Sequence, residues 1–149
     1  MKRFAIVLLV RHPSMDPKEI SRELRLEAFS AWKAGDQIKT PKGTVLPGTR
    51  ERSSWNHVFE YEGESKLFEE AERVLSRLAS KKDFFGRITK EGGYAEIYFQ
   101  LPGDINQGDS AKPSLLKLMA ELGLHLGVEV FPHFGPASSA GKPMKVSHT

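Results

Sequence analysis

The sequence predicts an α+β domain: a two-layer α/β sandwich whose mixed sheet carries its helices mainly on one face. Three observations predict it. Phe4 to Val10 is an unbroken apolar run, short for a helix and suited to a strand buried on both faces. The stretch "ESKLFEEAERVLSRLASKKD" repeats Leu67, Phe68, Ala71, Val74, Leu75 and Leu78 at helical spacing. Finally, the chain echoes itself. Glu23-Leu24-Arg25-Leu26 and Glu121-Leu122-Gly123-Leu124 each close a Pro-led helical stretch and enter an extended one. The elements read β-α-β-α-β-β-α-β, a ferredoxin-like order or a pseudo-duplicated variant.

Each element has a local reason. After the strand from Arg3 to Val10, Asp16 is placed to cap a helix, Pro17 suits its first position, and Glu19 completes a capping box. Ile20 and Leu24 give that helix an apolar edge, and "LEAFSAW" then turns extended. Gly35, Pro41, Gly43, Pro47 and Gly48 break regular structure from Lys33 to Arg52, so a long loop or weak hairpin is expected there. "SSWNHVFEY" is a strand rich in aromatic and β-branched residues. In the long helix that follows, Glu69 and Glu70 open and Lys81 and Lys82 close, which suits the helix dipole. "FFGRITKEGGYAEIYFQL" reads as a hairpin turning at Gly92-Gly93. Pro113 opens a Leu-rich helix that Gly123 ends, and "LHLGVEVF" is the last strand. The domain is expected over residues 1–131. The stretch 132–149, rich in Pro, Gly and Ser, is expected to be a mobile tail.

Composition excludes several chemistries. The chain has 149 residues and no cysteine, so thiol nucleophiles, disulfides and zinc–thiolate sites are ruled out. A formal charge of +3 is only mildly basic, and acids follow bases almost everywhere. Tyr94 and Tyr98 share a strand face on which bases could stack. Glu96 lies between them where a phosphate-tracking surface needs a cation, so nucleic acid is not the expected partner. The opening "MKRFAIVLLVRHPS" imitates a signal peptide but ends at Arg11 and His12 without a cleavage site. No stretch is long enough to span a membrane, and the expected location is cytoplasmic.

The densest chemistry lies in "GTRERSSWNHVFEY" and the loop before it. Ser53 and His57 could form a nucleophile–base pair, but on a strand they stand about 13 Å apart. His12, His57, His125 and His133 show no i, i+4 pair of the kind that holds zinc. Gly43, Gly48 and Gly92-Gly93 match no phosphate-loop or dinucleotide fingerprint. No catalytic residue, metal or cofactor is therefore expected. The candidate ligand-binding residues are Trp32, Asp36, Arg50 and Trp55, which flank the 33–52 loop. The two indoles can clamp its base if their strands are neighbours. Arg50 can close it as an ion pair with Asp36, or serve as an anion clamp.

"DPKEISRELRLEAFSAWKAGD", Trp55 and "PSLLKLMAELGLHLGVEVF" together resemble a bacterial family catalogued as domain of unknown function 4279. Asp16, Pro17, Glu19, Ile20, Leu24, Leu26, Trp32, Gly35 and Asp36 fall where its opening motif wants them. Arg25 and Ala28 depart from it, standing where the family usually has Gly and Pro. The resemblance implies a fold and a bacterial origin, and it carries no activity or site. The expected function is a non-enzymatic binding or interaction module, of immunity type by fold-level analogy. The alternative is a small-ligand-binding or enzymatic protein using the 33–52 loop. A homodimer is expected to cover whatever part of the far sheet face the loop leaves open.

Overall fold

The computed structural model describes residues 3–103 and 108–132. In chain order the strands are β1 (Arg3–His12), β2 (Ser30–Trp32), β3 (Gln37–Lys39), β4 (Val45–Thr49), β5 (Ser53–Glu62), β6 (Tyr94–Pro102) and β7 (Leu124–Phe131). The helices are α1 (Pro17–Leu24), α2 (Leu67–Arg77), α3 (Lys82–Lys90) and α4 (Pro113–Glu121), with a 3-10 turn at Ala79–Lys81 before α3. Five strands form a mixed sheet of order β2-β5-β1-β6-β7, and β3 and β4 form a separate two-stranded sheet.

β1 is apolar on both faces because both are buried. Phe4, Ile6, Leu8 and Val10 face the main core with Trp55, Ile97 and Phe99. All four helices pack on this side, contributing Ile20, Leu75, Phe85 and Leu115 among others. On the opposite face Val7, Leu9 and Tyr98 form a smaller cluster with Val58. Those first three are at most 3% exposed within the single chain, so a second copy is not needed to bury them. In the 33–52 segment, residues 41–49 are all exposed.

The strand path carries the internal echo. β1 and β6 lie antiparallel at the centre. From β1 the chain passes through α1 to β2 at one edge; from β6 it passes through α4 to β7 at the other. β7 is parallel to β6. β2 is parallel to β1 with β5 inserted between them, since β5 is antiparallel to both. The correspondence reaches the backbone: Gly123 and Arg25, equivalent in the echo, both adopt left-handed conformations with φ of 68° and 55°. Such a residue just past a helix lets the next N–H reach back to an orphan carbonyl, as Leu26 N–H does to Ser21 O.

Three local expectations are corrected. The predicted hairpin over residues 84–101 is α3 followed by β6. Phe84, Phe85 and Ile88 bury one helical face, and Gly92-Gly93 closes the helix. Gly92 has φ of 94°, Gly92 N–H donates to Thr89 O and Gly93 N–H to Ile88 O, the paired bonds of a Schellman motif. The helix expected to run to Lys82 stops at Arg77, so Lys82 begins α3 instead of closing α2. The capping box at α1 is half present. Asp16 Oδ1 accepts from Lys18 N–H, but the Glu19 carboxylate pairs with Arg87 at 2.6 Å. The predicted tail falls almost wholly on residues 133–149, outside the described residues.

Candidate functional site

The 33–52 segment is a hairpin anchored at its base. Backbone bonds join Gly35 N–H to Arg50 O and Arg50 N–H to Asp36 O, both 2.8 Å. Ala34 N–H donates to Ser53 Oγ, and Arg52 donates to Gly92 O at the end of α3. Beyond this base β3 and β4 pair only with each other in the sheet sense. Val45 and Leu46 stand 53% and 42% exposed, with Lys39 and Lys42 beside them in the chain. Two exposed apolar residues with lysines close in the chain are thus carried on this separate two-stranded sheet.

The four candidate ligand residues divide between two faces. β2 and β5 are neighbours, as the indole clamp requires, but Trp32 pairs with Ser54 and Trp55 with Ala31. Adjacent positions on a strand point to opposite faces, so the indoles lie on opposite sides of the sheet and cannot clamp together. Trp55 is fully buried in the main core, where its Nε1–H donates to Ser21 Oγ of α1 at 2.9 Å. Trp32 is half-buried, with the Arg50 guanidinium 3.9 Å over its ring. The Asp36–Arg50 ion pair is not formed. The Asp36 carboxylate instead accepts from Lys33 N–H. Arg50 and Trp32 meet; Asp36 reaches Arg50 through backbone alone, and Trp55 is architecture.

No nucleophile–base pair is assembled in this stretch. Ser53 Oγ is taken by Ala34 N–H, and His57 Nδ1 bonds Glu27 O while its ring meets Phe59 edge-on. His12 is buried and fixed as well. Its Nδ1 accepts from Ser14 and Met15 N–H, which leaves Nε2 as the donor to Glu91 at 2.8 Å. Hydrogen bonds from Arg87 and then His12 hold the Glu91 carboxyl below its ordinary value. Tyr98 is pushed the other way, by burial first and then by Glu129 and Glu96. Among the described residues no group of three metal-ligating side chains converges.

The sequence did not reveal a cleft on the helical side. Leu24, Arg25 and Leu26 at the end of α1, Phe59 of β5, Val74, Arg77 and Leu78 of α2, and Ser80 and Lys81 of the 3-10 turn line a half-open space of about 380 Å³. Its cations come from three separate segments, so no local motif could show them together. The one legible signal was Arg25, at a position where a left-handed backbone prefers glycine.

No curated protein and no solved structure matches the chain. The family model described as domain of unknown function (DUF4279) matches residues 3–131, from the first residue of β1 to the last of β7, and the chain belongs to that family.

Proposed function

We propose that this chain is a non-enzymatic binding module whose β3–β4 hairpin engages a protein partner. One observation carries the reading: a hairpin braced at its base displays Val45 and Leu46 in the open, with Lys39 and Lys42 close in the chain. Exposed apolar residues on a projecting element suit insertion into a partner's hollow, and the cations suit an acidic rim that steers the encounter. An immunity-type role, blocking a partner inside a bacterial cytoplasm, is the finer form of this reading. A photo-crosslinking residue at Leu46 tests it in cells of the source organism. A discrete adduct with an acidic protein, lost in Lys39→Glu/Lys42→Glu, is expected. Adducts that survive the charge reversal, or none at all, overturn the reading.

A second reading concerns self-association, and β7 favours it. Leu126, Val128 and Val130 are 53%, 61% and 58% exposed on an edge strand. If two copies paired antiparallel about Gly127, Leu126 would face Val128 and His125 would face Glu129, matching apolar with apolar and base with acid. Val128→Lys should then abolish a concentration-dependent rise in mass by light scattering. A monomer at all concentrations removes the dimer.

A further inference from the structure

We infer that the cleft between the ends of α1 and α2 is a binding site for a small amphiphilic anion: an apolar chain ending in a carboxylate or phosphate. Its walls divide by chemistry. Leu24, Leu26, Phe59, Val74 and Leu78 supply apolar surface, and Arg25, Arg77 and Lys81 supply three positive charges. At about 380 Å³ the space falls in the range of small-ligand pockets, which combine apolar walls with a few polar anchors.

Two of the three charges have no ion-pair partner among the described residues. Lys81 has one distant acidic neighbour, Glu23 at 3.9 Å. Neither Arg25 nor Arg77 forms an ion pair with any described carboxylate. Arg77 lies in the last turn of α2, where a cation complements the helix dipole. That accounts for its sign but not for its lining one cleft together with Arg25 and Lys81.

Arg25 supplies the second, independent observation. It is the one described non-glycine residue with positive φ, at 55°. Glycine would adopt that conformation without steric cost, and its equivalent in the other half of the chain is Gly123. Strained backbone at a cleft rim marks a position where the side chain is kept for what it does. The guanidinium fork presents paired N–H donors that match the oxygens of a carboxylate or phosphate.

The test uses the full chain and three probes of equal chain length: octanoate, octyl phosphate and 1-octanol. Isothermal titration, with amide shifts at Leu26, Phe59 and Ser80 followed by NMR, should show saturable binding of at least one anion. The anion that binds more tightly identifies the headgroup. Octanol should bind at least about tenfold more weakly, a difference of about 1.4 kcal/mol. Arg25→Ala and Arg77→Ala should each weaken anion binding by about tenfold, since each removes one charged hydrogen-bonding group. Both residues are exposed, and a circular dichroism melt confirms that the variants fold. Lys39→Glu on the hairpin should leave anion binding unchanged, which separates this site from the proposed protein-binding surface. The inference is overturned if neither anion binds saturably, if octanol binds as well as the anions, or if both arginine variants bind like the wild type.

Discussion

Replacing Trp55 by alanine should destabilise the domain by about 3–5 kcal/mol, the range for deleting a large aromatic from a core. The indole is fully buried and sits where β5, β1 and α1 meet: Val10 is its partner on β1 and Ser21 accepts its N–H. Burying an indole removes about 150–250 Å² from water, which at about 25 cal/mol per Å² gives roughly 4–6 kcal/mol as an upper estimate. The lost hydrogen bond adds little beyond this, because Ser21 is half-exposed and can turn to water. For a domain of this length each kcal/mol moves Tm by about 2–4 °C, so a fall of roughly 6–20 °C is expected. Far-UV circular dichroism is the right probe, since the substitution removes one of the two tryptophans that fluorescence would report. Trp32→Ala is the internal control. It deletes a half-exposed ring stacked under Arg50, a contact worth about 0.5–1 kcal/mol at such a site. If Trp55→Ala shifted Tm no more than Trp32→Ala, the assignment of the two indoles to opposite faces would be wrong.

Gly86 lies inside α3 with open space where a Cβ would stand, so Gly86→Ala should stabilise the protein by about 0.5–1 kcal/mol in urea denaturation; destabilisation would speak against the helix. Gly93→Ala should be strongly destabilising, because its Cβ would stand 2.3 Å from Arg11 O and 3.1 Å from His12 Cα; a neutral Tm would refute that close approach. Arg25→Gly should raise Tm slightly by relieving the left-handed backbone, the reverse of the usual glycine effect. Glu91 titrates lower in the folded chain than its ordinary value of 4.5. The stability it confers is complete above that value and is lost as pH falls through the lower folded one. Glu91→Gln should therefore remove part of the decline in stability below about pH 4.5, as read from Tm across an acid series.

Much of the architecture was legible because burial leaves a pattern in the chain. The β1 run is apolar at every position because its odd and even residues serve two clusters. Asp16-Pro17 marks the start of α1 whatever lies around it. Residues 84–90 were misread because Phe84, Gly86 and Ile88 also satisfy a period of two, and Gly92-Gly93 serves a helix end as readily as a hairpin. What decides between them is tertiary: Gly93 lies against the backbone of β1. The two tryptophans do lie on neighbouring strands, the condition left open by the sequence, but β2 is only three residues long. Its register on β5 sets the face of Trp32, and nothing in the local sequence states that register. The cleft was illegible because its cations gain meaning only when the end of α1 is brought beside α2.

The position of β1 in the middle of the sheet has a consequence for the growing chain on the ribosome. This strand is made before either neighbour, yet it pairs with β5 and β6, and β6 ends roughly 90 residues later. At about 5–20 residues per second of synthesis, β1 waits on the order of 5–20 s for its second partner. Throughout that interval seven consecutive apolar residues lack their final cover. Arg3 at one end and Arg11 and His12 at the other bracket the run, as gatekeeping charges bracket segments prone to aggregate. Neutralising Arg3 and Arg11 should thus cost yield of soluble protein during expression more than it costs the stability of the finished fold.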